Sequence, residues 1–425
     1  MGTRRHGRRP VDMRYWHAGA CPDQVKIAIT NHHRRLVGGI ETYLGLVIPS
    51  LQRYGHTVGL LHTDDTPEER TAILPREPGP CWDLAQLGAT RAVAALREWK
   101  PDLIYCHSIA DVEMESAIPD IAPAVFFAHG YHGTCISGSK MHKLPRPHPC
   151  ERIFGAACLG QFYPRNCGGW NPLTMMRLYG EQSAHLAALR KFQSILVASP
   201  HMVREYERHG FTGRVQAIQL PVPMPRIIPA PKRPADRWRL LFLGRLDPLK
   251  GGNFLIDALP RVCQELKLPI QVTFAGEGAA RTIWEEDAIA RVRRLPELEI
   301  HFTGWADEQE KTELFQTYHL LVFPSIWPEP FGQVGLEAGH HGMPCAAFDV
   351  GGVSSWLKDG VNGHLAPGNP PTPDGLAEAI IRCLRDPATR TQLSQGAQTV
   401  ARQYTLEAHT TALLEVFAKA LQSKR

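Results

Sequence analysis

The sequence predicts an α/β protein built from two parallel-sheet domains that face each other across a cleft. Three observations point to it. Short apolar runs alternate with longer amphipathic stretches from end to end, as strands and helices do around parallel sheets. The alternation stops at six prolines between Pro221 and Pro234, then restarts. A chain of 425 residues also exceeds the length at which a single core keeps growing.

The elements follow in order. Residues 1–24 form a basic tail with Arg4, Arg5, Arg8 and Arg9, and no apolar stretch follows to make a secretory signal. The first domain, residues 25–220, has predicted strands at Val25–Thr30, Thr57–His62, Leu103–Cys106, Ala124–Ala128 and Ser194–Ala198. Between the first two, Gly39–Tyr54 places Ile40, Tyr43, Leu44, Val47, Ile48 and Leu51 at helical spacing. Residues 221–234 read as a linker, because each proline fixes its own φ and lacks an amide donor. The second domain, residues 235–404, restarts with strands at Leu240–Gly244, Gln271–Ala275, Ile300–Thr303 and Leu320–Pro324. Residues 405–425 hold a final helix over Thr405–Gln422, with Thr405 as its cap and one apolar face through Leu406, Leu413, Leu414, Phe417 and Leu421. That helix packs on its own domain or crosses back onto the first; periodicity leaves the choice open.

Composition removes several classes of function. The apolar fraction of 43% and charged fraction of 21% are those of an ordinary globular chain. No apolar run approaches the roughly 18 residues of a transmembrane helix. A net charge of +5, without a basic stripe interleaved with aromatics, gives no reason to expect nucleic acid. It fits a phosphate-bearing substrate, or peripheral contact of the basic tail with an anionic membrane face. The ten cysteines, with no signal sequence, read as thiols in the reducing cytoplasm. Six are scattered, at Cys21, Cys81, Cys106, Cys263, Cys345 and Cys383, and read as small buried hydrophobes.

One stretch breaks the pattern. Residues 130–172 show no period and carry Cys135, Cys150, Cys158 and Cys167. Their gaps of 14, 7 and 8 residues lack the close pairs of a zinc site, so buried thiols are set against a structural zinc, with His132, His142 and His148 as substitute ligands. Following directly after His129, the insertion is expected on the cleft rim, as an acceptor-recognition element.

The strongest chemical signal is Glu329-Pro-Phe-Gly-Gln-Val-Gly-Leu-Glu337, after the apolar strand at Leu320–Pro324. Pro330 and Gly332 place the first carboxylate in a strand-to-helix turn, and the helix that starts near Gln333 offers free amides to hydroxyls or anions. The element resembles the E-x7-E signature of the retaining family 4 glycosyltransferases (glycosyl transferases group 1), which have the GT-B fold of two Rossmann-like domains. Gly244-Arg245-Leu-Asp-Pro-Leu-Lys250-Gly251 resembles that family's donor-phosphate motif, and Gly38-Gly39 before Ile40 its N-terminal glycine loop. Alone, the glycine pair reads as a turn and the cations as solvated surface; the retained order of all three is what carries the likeness.

The resemblance implies roles. A departing diphosphate gathers negative charge that two fixed cations neutralise, which assigns Arg245 and Lys250. Glu337 is expected to accept hydrogen bonds from the ribose hydroxyls, and Glu329 with the amides of Phe331 and Gly332 to hold the transferred sugar. Gly276 and Gly278, flanking Glu277, fall near the nucleotide, while Gly38 and Gly39 let backbone approach the diphosphate or acceptor. His129 ends a strand where an open parallel sheet meets its ligand; it is either a contact to the donor sugar or a satisfied structural residue. The family further implies retention of configuration by front-face attack, with double displacement through Glu329 as the minority route. No Asp-x-Asp pair occurs, and neither metal nor cofactor is expected for the transfer. The implied partners are a UDP- or GDP-sugar and a saccharide or lipid-linked acceptor, in polysaccharide or envelope assembly. An epimerase or phosphorylase of the same fold and a non-catalytic nucleotide-sugar binder are the alternatives.

Overall fold

The computed structural model describes residues 24–66, 68–74, 79–107, 109–224 and 236–422. The basic tail, Cys21 and the linker prolines from Pro225 to Pro234 lie outside the described residues.

Nine strands precede the linker: β1 (Lys26–Thr30), β2 (Thr57–His62), β3 (Cys81–Asp83), β4 (Leu103–Cys106), β5 (Ala124–Ala128), β6 (Met141–His142), β7 (His148–Pro149), β8 (Ser194–Val197) and β9 (Val215–Ala217). Seven form a parallel sheet in the order β3-β2-β1-β4-β5-β8-β9, and β6 and β7 pair only with each other. Six more follow: β10 (Trp238–Leu243), β11 (Ile270–Ala275), β12 (Leu298–Gly304), β13 (Leu320–Phe323), β14 (Cys345–Phe348) and β15 (Gly363–Ala366). Their order is β12-β11-β10-β13-β14-β15, again all parallel. Two doubly wound domains result, as the alternation of elements predicts.

Strands covered by helices on both faces are apolar throughout. The central strands β5 (Ala-Val-Phe-Phe-Ala) and β13 (Leu-Leu-Val-Phe) are buried at every position, and the sequence marks both. Strands at or near the edges are harder to read. β3 and β9 are three residues each, β14 is built from Cys, Ala, Ala and Phe with no β-branched residue, and β15 opens on a glycine. β12 starts two residues before the predicted Ile300, because on the sheet edge its exposed Glu299, His301 and Thr303 alternate with inward residues.

The helix Gly39–Arg53 buries Tyr43, Leu44, Val47, Ile48 and Leu51 along its predicted face. The last helix, Leu406–Gln422, is capped by Thr405, whose Oγ1 accepts from the Ala408 amide at 3.1 Å. It crosses back to the first domain. His409 Nε2 lies 2.9 Å from the Tyr43 hydroxyl, Thr410 Oγ1 lies 2.9 Å from Ser50 Oγ, and Phe417 meets the Tyr105 ring edge-on. A carbonyl just before the linker, Gln219 O, sits 2.7 Å from His409 Nδ1, so this one side chain ties the last helix to the helix Gly39–Arg53 and to the chain just before the linker.

The insertion is built from pieces too short to carry a period: the β6–β7 hairpin, the helix Ala157–Gln161, and a small apolar cluster of Ile136, Phe154, Phe162 and Cys167. Lys140 is buried among them, its ammonium donating to Glu205 and to Arg152 O.

Candidate functional site

Both sheets reverse strand order, between β1 and β4 and between β10 and β13, and such switch points open a ligand crevice at the carboxyl ends of the strands. The predicted residues sit at those ends. Gly38 and Gly39 follow β1 through a short loop, His129 directly follows β5, Gly244 and Arg245 follow β10, Gly276 and Gly278 follow β11, and Glu329 lies on the loop after β13. Sequence-distant groups are thereby brought to the facing edges of two domains.

The closest meeting is between Lys250 and Glu329. The ammonium donates to Glu329 Oε1 at 2.5 Å, and Ser325 Oγ donates to the same oxygen at 2.7 Å. Glu329 is buried, and Lys250 lies 4.9 Å from the centre of the Trp327 ring. Backbone packing holds this arrangement. Gly251 has φ 71°, and a Cβ there would stand 1.9 Å from Pro324 O, so only glycine lets the loop after β10 press against the loop after β13. On the other side the Gly352 amide donates to Glu329 O at 2.6 Å.

Arg245 is exposed and its side chain makes no hydrogen bond or ion pair among the described residues, which leaves its guanidinium available to a ligand. Glu337, on the helix Val334–His340, accepts from Lys311 at 3.2 Å. The glycines divide by cause. A Cβ on Gly276 would meet Gly244 O at 2.0 Å and one on Gly278 would meet Leu246 O at 2.3 Å, so both are required by the packing of adjacent loops. Gly39 has open space around it, and any demand for glycine there comes from a ligand. Phe331 is buried against Tyr404, its carbonyl accepting from Trp356 Nε1 at 2.7 Å; Gly332 has φ 88°.

His129 Nε2 lies 2.8 Å from His107 Nδ1, and His107 Nε2 is buried without a partner. An orphaned N–H costs more than an orphaned lone pair, so His107 carries its proton on Nδ1 and donates it to His129. His129 then holds its own proton on Nδ1, as the donor it has left to offer. Burial pushes the His129 imidazole down to about 3 and His409 down to about 4, and burial together with these two neighbours lowers His107 well below its ordinary value. All three are neutral at pH 7. Below pH of about 6.5 the unfolded chain takes up protons that the folded chain refuses, so stability falls with pH and levels off beneath the folded values. Each histidine contributes up to about 1.4 kcal/mol per pH unit in that window. Melting followed from pH 7 to pH 4 is expected to show a steep fall; a flat profile contradicts the neutral cluster.

The two domains touch at the site. Tyr131, at the start of the insertion, donates to Pro328 O at 2.6 Å and meets His201 Nε2 at 2.8 Å. Beside the Glu329 loop lies a cavity of about 370 Å³, bounded by Arg204 and His201 from the first domain and Lys358, Ser354 and Phe331 from the second.

Comparison with known proteins places this geometry in a family. Residues 37–226 match the family described as Glycosyltransferase Family 4, and residues 224–400 the one described as Glycosyl transferases group 1. The chain belongs to the group 1, family 4 glycosyltransferases. A D-inositol 3-phosphate glycosyltransferase of Streptomyces bingchenggensis is 29% identical over 274 residues, 60% of this chain and 58% of that protein. One of Mycolicibacterium paratuberculosis is 31% identical over 193 residues, covering 44% and 42%. The chain therefore matches under two thirds of the length of these relatives. Among solved structures, Anabaena HepE in complex with UDP and glucose has a TM-score of 0.66 at 20% identity, covering 93% of this chain and 99% of that one. A Rickettsia africae glycosyltransferase has a TM-score of 0.68 at 14% identity, covering 94% and 99%. At those identities the likeness shows the GT-B fold.

In this family member the sequence reading missed Ser325, Lys311, His107 and Tyr131: the last three have partners 22 or more residues away, and Ser325 meets Glu329 through a loop that carries no period. His107 alone left a trace: like His129, it directly follows an apolar strand. The four insertion cysteines are neighbours, and burial followed by the charges of Cys135, Cys150 and Cys158 pushes the Cys167 thiol up to about 12. They do not close to coordination spacing. The groups of three metal-ligating atoms within 4.8 Å among the described residues are His32, His33 and Asp64, and Glu115, His132 and His185.

Proposed function

We propose that this family 4 chain transfers a hexose from a nucleotide diphosphate donor to a saccharide or lipid-linked acceptor, with retention of configuration and without a metal in the transfer step. The observation that carries the reading is the Lys250–Glu329 pair at the β10–β13 switch point, with Arg245 on the same loop after β10. Two cations there suit a diphosphate leaving group, and a carboxylate beside them suits sugar hydroxyls. The diphosphate competes for Lys250 with Glu329, which frees the carboxylate for the transferred hexose. The amides of Phe331 and Gly332, the Nδ1–H of His129 and the open backbone at Gly38 and Gly39 complete the donor surface, and Glu337 takes the ribose. As the bond from the anomeric carbon to the phosphate oxygen breaks, the acceptor oxygen bonds to that carbon from the same face, and its proton passes to the departing phosphate.

Anabaena HepE, solved with UDP and with UDP-glucose, supports a UDP-sugar donor, and relatives named for inositol 3-phosphate support an acceptor that carries a phosphate. Arg204 and Lys358 in the adjoining cavity suit an acceptor that carries a phosphate, whether a soluble one or a lipid-linked one of envelope or polysaccharide assembly. No helix among the described residues is long and apolar enough to cross a membrane. The exposed Trp170, Leu173 and Met176, near Arg165 and Arg177, favour peripheral contact with the inner face of a membrane.

The test is nucleotide release from UDP-, GDP-, ADP- and dTDP-sugars, with and without phosphorylated acceptors. Acceptor-dependent release from one donor class is expected. Folded protein that neither binds nor turns over any of them returns the chain to a non-catalytic role.

A further inference from the structure

Away from the donor site, three donor groups from three elements meet inside the first domain. Glu115 lies on the helix Val112–Ala117, His132 just beyond β5 at the base of the insertion, and His185 on the helix Pro172–Leu189 that follows it. His185 Nδ1 is 2.7 Å from Glu115 Oε2, and His132 Nε2 is 3.0 Å from Oε2 and 3.2 Å from Oε1. All three ligand atoms fall within 4.8 Å of one another.

Charge makes the cluster more than a packing detail. The Glu115 side chain is fully buried, and a carboxylate taken out of water needs a positive partner. No lysine or arginine among the described residues pairs with it, and the groups that favour its ionised form are His132 and His185. With neutral imidazoles the charge stays uncompensated, so a cation has to be supplied, either as a proton on one ring or as a metal ion. Two imidazole nitrogens and a carboxylate are a donor set suited to zinc. Zinc with bonds of about 2.0–2.2 Å in tetrahedral geometry keeps its donors roughly 3.3 Å apart, so both carboxylate–imidazole distances, 2.7 Å and 3.0 Å, widen by about half an ångström or less to admit an ion. His132, with 21% of its side chain exposed, leaves a route in and a solvent-side coordination position for water.

We propose that Glu115, His132 and His185 form a zinc site that clips the two ends of the cysteine-containing insertion to the first domain. The site is structural and separate from the transfer chemistry. A bond through the metal from residue 132 to residue 185 closes the loop that carries the insertion, whose own apolar cluster is small. The trio His32, His33 and Asp64 carries less, because its residues are only partly buried and water can compensate the carboxylate.

Full-length protein stripped with a chelator, reloaded with zinc and gel-filtered is expected to retain about one ion per chain and to melt higher than the stripped form. Glu115→Gln and His185→Asn, checked for folding by circular dichroism, are expected to retain about tenfold less or lower and to lose the thermal gain. If Glu115→Gln does not fold, His132→Asn at the exposed edge carries the same comparison. Cobalt loading separates this site from the nearby thiols: weak visible bands without thiolate charge transfer are expected. No retained zinc in the parent protein overturns the proposal. Equal retention in the variants, or a thiolate band lost in Cys150→Ser, overturns it in favour of the cysteines.

Discussion

Replacing Arg245 with alanine is expected to lower acceptor-dependent nucleotide release by roughly 100- to 1,000-fold and to leave the melting temperature unchanged. Arg245 is exposed on the loop after β10 and holds no partner among the described residues, so the folded state loses nothing when it is truncated. Its proposed contribution exists only while charge builds on the departing diphosphate, and an interaction made chiefly in the transition state appears in kcat as well as in kcat/KM. Steady-state kinetics beside a thermal melt decide the matter. A loss below tenfold removes Arg245 from the leaving-group site; a large fall in melting temperature reassigns it to the fold.

Lys250→Met is expected to damage both properties. Turnover falls by a similar factor, since the second cation at the diphosphate is gone. Stability falls as well, because Glu329 remains buried with only the Ser325 hydroxyl to satisfy its Oε1. Leaving a buried acceptor charge short of its partner costs about 1–3 kcal/mol, or a few degrees of melting temperature for a domain of this size. Adding Glu329→Gln to Lys250→Met removes the stranded charge. The double variant is expected to recover most of the lost stability and none of the activity. That non-additivity is the signature of the pair, and simple addition of the two single effects contradicts it.

The parts of the donor site differ in how far they could be read from the chain. Arg245, Lys250, Glu329 and Glu337 stand in two short motifs, each attached to the apolar strand that precedes it, and local sequence carries both strand and turn. Ser325 and Lys311 could not be singled out in this way. A serine four residues before Glu329 and a lysine on a surface helix look like any others until folding brings one to Glu329 and the other to Glu337. The glycines divide likewise: Gly276 and Gly278 are fixed by contacts with Gly244 and Leu246 from another strand's loop, which no local pattern announces.

Short-range information determined the alternation of strand and helix, the proline break between the domains, the apolar face of Gly39–Arg53 and the cap at Thr405. Each depends on spacing or on the conformational limits of a residue and its near neighbours. The tertiary structure decided what depends on pairing across the chain. It carried the last helix back to Tyr43 and Ser50, set His107 against His129, and gathered Glu115, His132 and His185 while leaving the four cysteines short of coordination spacing. Buried polar groups must find partners wherever the fold offers them, and which partner that is follows from sheet order and helix packing rather than from position in the sequence.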